Sequence, residues 1–110
     1  MTSLKNLAKD YFKTFSSMNL EKLKLFFDDA IELRDWEICA SGLNEVLKAN
    51  QAIFENVNSI EVNPIEINEI NNKVFAELSI LINEEDTIKV VDIIEFNEKN
   101  KIYSIRAYKG

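Results

Sequence analysis

The feature that most constrains the fold is a change of hydrophobic period near Ser59. After it the period is two, and turn residues divide this half into strands predicted at 59–70, 73–83, 87–97 and 101–109. Before it, apolar residues recur every three or four positions, and the first group shares one helix face: Leu4, Leu7, Ala8, Tyr11, Phe12 and Phe15. Helices followed by an antiparallel meander predict an α+β fold, with a curved sheet around the helices.

Capping residues set the predicted helix limits in the first half. Thr2 or Ser3 is expected to cap the first helix, and Asn19 a short second helix that ends at 28–29. A third helix is predicted to open at 41–42 and to extend to about residue 57.

Short strands are expected between the second and third helices. Residues 31–35 alternate, with Ile31, Leu33 and Asp35 on one side, and residues 38–39 suggest a second short strand. In the later half, Pro64 interrupts the first long strand, which predicts a sheet edge or a bulge there.

Length and composition indicate one domain spanning residues 1–110. The chain is 46% hydrophobic, yet no apolar stretch approaches the roughly 20 residues of a membrane span. A lone cysteine, Cys39, excludes an internal disulfide and favours a reducing compartment, so a cytoplasmic location is expected.

Charge and residue usage exclude several classes of function. Nineteen acidic and 13 basic residues leave a net charge of −6 without a basic cluster, so no nucleic-acid partner is expected. The chain has no histidine, which excludes Ser-His-Asp and Cys-His catalysis and most zinc sites. No metal or cofactor is predicted, and any chemistry must use carboxylates, tyrosines, lysines or the thiol.

Polar side chains within apolar rows are the candidate functional groups. Asp92 lies mid-strand between Val90 and Ile94, where an unpaired carboxylate is costly, although a structural ion pair with Arg106 is an alternative. Asp35 ends the row begun by Ile31 and Leu33, or it simply ends a strand in solvent. Tyr11 is central on the first helix's apolar face, where a core residue with its hydroxyl at the rim is the alternative.

These residues and their order resemble a known superfamily over essentially the whole chain. The matching segments are Asp10-Tyr11-Phe12, Asn19-Leu20, residues 25–30, residues 32–35, Val91-Asp92-Ile93-Ile94-Glu95-Phe96 and residues 101–108. The chain resembles the nuclear transport factor 2-like (NTF2-like), or SnoaL-like, superfamily, and within it the bacterial ketosteroid isomerases most of all. The resemblance implies a cone-shaped fold.

The resemblance also implies roles for three residues. The isomerases' oxyanion-hole tyrosine falls on Tyr11, their catalytic aspartate on Asp35, and their protonated aspartate on Asp92. The loop after Asp35 is shorter than theirs, and aromatic positions of some isomerases fall on Phe27, Asn50 and Lys109. The expected pocket walls are apolar: Phe12, Phe15, Leu33, Leu47, Phe54, Leu78, Ile80, Val90, Ile94 and Ile105.

Two classes of function follow. One is a cofactor-free isomerase that moves a proton on a hydrophobic carbonyl compound, or a SnoaL-like polyketide cyclase. The other is a non-catalytic module that binds an apolar small molecule or serves in dimerisation. A homodimer is expected through the outer face of the sheet, where Val91 and Ile93 point away from Asp92 and Leu81 and Tyr108 are possible neighbours.

Overall fold

A computed structural model describes residues 3–110 of the chain. Its helices are α1 (Leu4–Ser16), α2 (Leu20–Lys24) and α3 (Leu43–Glu55). Its strands are β1 (Phe27–Arg34), β2 (Cys39–Ser41), β3 (Ile60–Ile70), β4 (Lys73–Ile82), β5 (Asp86–Phe96) and β6 (Ile102–Lys109).

The strands form one curved, open sheet in the order β2-β1-β6-β5-β4-β3. Neighbours are antiparallel except for β1 and β6, which run parallel. Helix α1 lies against β3 and β4, and α3 lies against β1 and β2, so the helices cover the concave face. The predicted α+β architecture, with a curved sheet around the N-terminal helices, is confirmed.

The two N-terminal helices begin at side-chain caps. The Ser3 hydroxyl accepts a hydrogen bond from the backbone N–H of Asn6, and Asn19 Oδ1 accepts one from the N–H of Lys22 at 3.1 Å. Both contacts satisfy N–H groups that the first helical turn leaves without partners. The predicted cap at Asn19 is confirmed, whereas Thr2 lies outside the described residues.

The second helix is shorter than predicted, because the chain turns into β1 earlier. Helix α2 ends at Lys24, and Phe27 already pairs with Ile102 of β6. The carbonyl of Phe26 accepts a hydrogen bond from the N–H of Ile102 at 2.8 Å. This long-range pairing overrides the helical spacing of the local sequence. The second short strand begins at Cys39 and does not include residue 38.

The predicted limits of the four later strands agree with the structure to within one residue. Left-handed backbone conformations form their turns, with φ between 54° and 62° at Asn71, Asn83, Glu84 and Asn100. Asparagine tolerates this region better than most residues, which explains its use in three of these positions. Pro64 lies on an edge strand beside a register shift, as predicted.

The core lies between the helices and the concave face of the sheet. Its largest fully buried side chains come from α1, α2 and four strands: Phe12, Leu23, Ile31, Leu78, Ile94, Phe96 and Ile102. Across residues 3–110, every helix is too short or too polar to cross a membrane.

Candidate functional site

A cavity of about 210 Å³ opens between the helices and the concave face of the sheet. Its buried or half-buried polar groups are Tyr11, Asp35, Asn50 and Asp92. Trp36 and Glu37 are the exposed members of its wall and mark where it meets solvent. The rest of the lining is apolar: Phe12, Phe15, Leu33, Ile38, Ile53, Ile60, Val62, Leu78, Ile80, Ile82, Ile88, Val90, Ile105 and Ala107.

Strand register brings the two aspartates to one row of the sheet. Leu33 and Arg34 of β1 lie opposite Ile105 and Arg106 of β6, so the next residue, Asp35, comes beside Ala107. Ala107 in turn pairs with Asp92 of β5. The two aspartate backbones are therefore two strand spacings apart, roughly 10 Å. Only the methyl group of Ala107 lies between them, which leaves the space over β6 open.

The Asp35 carboxylate is held by the turn that follows β1. Its Oδ1 accepts hydrogen bonds from the backbone N–H groups of Glu37 at 2.7 Å and Ile38 at 2.6 Å. The N–H of Asp35 itself donates to the carbonyl of Ile38 at 2.9 Å. These bonds orient the carboxylate and leave its second oxygen available at the wall of the cavity.

The Asp92 carboxyl has a different environment. The residue is only 9% exposed, and its neighbours along the inner face of β5 are apolar. Burial is the main reason that its pKa rises from 3.8 to about 7, and the charge of Asp35 raises it further. At neutral pH a large share of Asp92 therefore carries its proton and can donate a hydrogen bond.

Arg106 does not pair with Asp92, so the structural ion pair considered from the sequence is not formed. Its Nη1 donates to Glu95 Oε2 at 2.6 Å on the outer face of the sheet. That hydrogen bond is the main cause that lowers the pKa of Glu95. The side-chain period of two places Arg106 and Asp92 on opposite faces.

Tyr11 reaches the cavity from the helical side. Its ring contacts four phenylalanine rings at centroid distances of 5.5 to 6.2 Å: Phe12, Phe15, Phe26 and Phe27. Burial, and secondarily the charge of Asp92, raise the pKa of the Tyr11 hydroxyl far above its usual value. The hydroxyl is therefore a permanent hydrogen-bond donor near Asp92.

The lining includes most of the expected wall residues but not all of them. Leu47, Phe54 and Ile94 are outside it. Ile94 is fully buried in the core beyond Asp92, Phe54 packs on Phe15 at 5.0 Å, and Leu47 packs against the core. Sequence reasoning overlooked Ile82 and Ile88, although each continues a period-two row with Ile80 or Val90. No comparable hydrophobic period marked Ala107 or residues 36–38 as part of the cavity wall.

The fold and the site together define a class of protein: an α+β cone whose concave face encloses a mostly apolar cavity with a few polar groups. Solved structures with this fold include SnoaL-like and NTF2-like proteins, as expected from the sequence resemblance. No protein-family model matches the sequence. No curated protein matches it either.

Three of the similar structures are informative. A provisionally assigned SnoaL-like polyketide cyclase from Shewanella denitrificans superimposes with a TM-score of 0.87 at 13% identity, covering 97% of this chain and 90% of that one. A provisionally assigned SnoaL-like isomerase from Agrobacterium tumefaciens superimposes with a TM-score of 0.85 at 9% identity, covering 99% of each chain. A provisionally assigned ketosteroid isomerase from Kribbella flavida superimposes with a TM-score of 0.84 at 12% identity, covering 97% of this chain and 77% of that one. At these identities the likeness concerns the fold alone.

Proposed function

We propose that the protein binds a small apolar carbonyl compound in this cavity and moves a proton at the carbon next to the carbonyl. One observation carries the proposal: Tyr11 of α1, Asp35 of the turn after β1 and Asp92 of β5 line the same otherwise apolar cavity. A few convergent polar groups in an apolar cavity, one of them with a strongly shifted pKa, are typical of small-molecule active sites.

The three groups divide the chemistry between them. Asp35, whose carboxylate is oriented by two backbone N–H groups, acts as the base that removes the proton. The carbonyl oxygen gains negative charge as the proton leaves, and the Tyr11 hydroxyl and the protonated Asp92 carboxyl donate hydrogen bonds to it. Protonated Asp35 then returns the proton to another carbon of the conjugated system, so that the reaction is an isomerisation without a cofactor.

The cavity volume limits the size of the substrate. About 210 Å³ exceeds the ~150 Å³ of a cavity that admits benzene and is below the ~300 Å³ where pockets for drug-sized ligands begin. A compound of one or two rings fits this space better than a four-ring steroid. We therefore expect a bicyclic enone to be a better substrate than a steroid.

Proton exchange provides the direct test. In deuterium oxide, the protein should accelerate exchange of the hydrogens next to the carbonyl of a bicyclic enone, followed by proton NMR. Asp35→Asn should abolish the acceleration, whereas Asp92→Asn, which retains a donor, should only reduce it. Acceleration that persists in Asp35→Asn would disprove the assignment of the base.

Binding without catalysis is the second candidate function. The apolar lining and the oriented Asp35 would serve a ligand-binding module equally well, and a SnoaL-like cyclase would need the same donors and base. Saturable binding of the enone without accelerated exchange would favour the binding module. Exchange without isomerisation of the double bond would favour cyclase-type chemistry.

We also propose a homodimer through the outer face of the sheet. Val91 and Tyr108 lie directly opposite each other on β5 and β6 and are 40% and 57% exposed. Phe75 and Ile93 pair beside them across β4 and β5 and extend the apolar surface. A second copy with the same patch is a self-complementary partner for it.

The cytoplasm is the proposed location. Cys39 is exposed and unpaired, a state that a reducing compartment maintains. Export of the protein to an oxidising compartment, measured by cell fractionation, would contradict this assignment.

A further inference from the structure

A surface pocket of about 320 Å³, here called the rim pocket, adjoins the mouth of the cavity at the end of β6. Asp35, Trp36 and Ala107 line both spaces, so the rim pocket and the cavity share part of one wall. The other residues of the rim pocket come from the ends of β1 and β6: Arg34, Arg106, Tyr108 and Lys109. A ligand held in the cavity can therefore extend into the rim pocket.

Lys109 places an ammonium group where the two spaces meet. It follows Ala107 by two residues on β6, so its side chain leaves the same face of the sheet, roughly 7 Å further along the strand. Its strand partner, Val90 of β5, also lines the cavity. The Lys109 Nζ lies 5.8 Å from the centroid of the Trp36 ring, within the range of a cation–π contact. This contact holds the ammonium beside the mouth of the cavity.

The rim pocket is positively charged, although the chain as a whole carries a net charge of −6. Arg106 is neutralised by its ion pair on the outer face of the sheet. Arg34 and Lys109 form no ion pair with any of residues 3–110. The lining that the described residues provide contains a single carboxylate, Asp35, because Glu37 lines the cavity and not the rim pocket. Two unpaired cations against one carboxylate attract an anionic group of a ligand.

We propose that the rim pocket binds a carboxylate substituent of the ligand, with the Lys109 ammonium as its cationic partner. This role for Lys109 rests on the proposed function, because it assumes that the buried Tyr11 and Asp92 hold the carbonyl inside the cavity. The other end of the ligand then points to the exposed Trp36 at the mouth. The ligand class narrows to enones of one or two rings that carry a short acidic side chain remote from the carbonyl.

Two bicyclic enones with the same ring skeleton test the role of the rim pocket. One carries a propionic acid side chain on the ring remote from the carbonyl, and the other carries the corresponding propionamide, which has nearly the same shape without the charge. Calorimetric titration of the wild type at low ionic strength should show about two- to fivefold tighter binding of the acid, the range for an exposed ion pair. The preference should disappear in about 1 M salt, where the Debye length is ~3 Å.

Substitution of Lys109 separates a binding role from a general effect of charge. Lys109→Gln should abolish the preference for the acid and retain the affinity for the amide. Lys109→Glu should reverse the preference, because it places a negative charge beside the carboxylate. The matched control is Lys48→Gln, which removes the same charge at an exposed position of α3 that lines neither space, and it should keep the preference.

The possible outcomes distinguish the role of Lys109 from the function on which it depends. Equal binding of acid and amide by the wild type, or a preference that survives in Lys109→Gln, would overturn the carboxylate site and leave the proposed function intact. An equal loss of preference in Lys48→Gln would also overturn it, because the effect would then come from overall charge. If neither compound binds to the wild type, the proposed function fails and the carboxylate site fails with it.

Discussion

Asp35 and Asp92 face the same cavity across Ala107 in environments that differ sharply. Asp35 Oδ1 accepts two backbone hydrogen bonds, whereas the carboxyl of Asp92 is buried among apolar side chains. The charge of Asp35 acts together with burial to raise the pKa of Asp92 to about 7. One aspartate is thereby suited to accept a proton and the other to hold one.

The stability of the protein should fall with pH because of Asp92. Its pKa is about 7 in the folded protein and 3.8 when unperturbed, so the stabilising effect of the bound proton is complete below pH ~4 and is lost as pH rises through about 7. The difference of about three between these two pKa values corresponds to about 4 kcal/mol in the free energy of unfolding. Urea denaturation at pH 4 and pH 8 should show this loss in the wild type and not in Asp92→Asn. Asp86→Asn, an exposed position on the same strand, is the control and should behave as the wild type.

Asp35→Asn should lower the pKa of Asp92. The substitution removes the negative charge that disfavours ionisation of Asp92, while the asparagine carbonyl can still accept the hydrogen bonds from Glu37 and Ile38. The carboxyl carbon of Asp92, followed by NMR across pH, should therefore titrate at lower pH than in the wild type. An unchanged midpoint would mean that the two carboxyl groups do not interact.

Tyr11→Phe should separate packing from hydrogen bonding. The ring contacts with the four phenylalanines remain, so the free energy of unfolding should change by less than about 1 kcal/mol, and affinity for an enone should decrease. Tyr11→Ala should cost about 3–5 kcal/mol of stability, because it removes a buried aromatic ring. Chemical denaturation and Trp36 fluorescence titration measure the two effects. Unaltered enone affinity in Tyr11→Phe would exclude the hydroxyl as a donor to the ligand.

Ala107→Leu should block the cavity between the two aspartates. The larger side chain would occupy the space over β6 that the alanine methyl group leaves open, and overpacking would cost about 1–3 kcal/mol. Binding of the enone should be lost while circular dichroism shows a folded protein. Retained binding would place the ligand elsewhere in the cavity.

Val91→Lys should dissociate the proposed homodimer. It introduces a charge at the centre of the outer-face patch, next to Tyr108, where a second copy would have to desolvate it. Analytical ultracentrifugation should give a dimer for the wild type at micromolar concentration and a monomer for the variant. Ile70→Lys, at an exposed apolar position on the edge strand β3, is the control and should remain dimeric. A monomeric wild type would contradict the proposal.

Much of the fold could be predicted because local patterns and the structure agree. The period-two rows after Ser59 give strand limits within one residue, since one face of each strand packs on the helices. Asn19 caps its helix through a contact three residues away, which is visible in the sequence. The predicted C-terminal end of α2 was wrong because Phe27 pairs with Ile102, and a contact between residues so far apart in the chain is not visible in the local sequence.

The sequence by itself determined that Asp92 is a buried carboxyl on an apolar strand face and that Tyr11 lies on an apolar helix face, because both follow from side-chain periodicity. Only the tertiary structure decided that Asp35 joins them, since this depends on the parallel pairing of β1 with β6. Only the tertiary structure decided that Arg106 pairs with Glu95. Only the tertiary structure decided that the side-chain Nδ2 of Asn50 is buried without a hydrogen-bond partner among the described residues. Periodicity assigns a side chain to a face, whereas its neighbours across the cavity are set by contacts between distant parts of the chain.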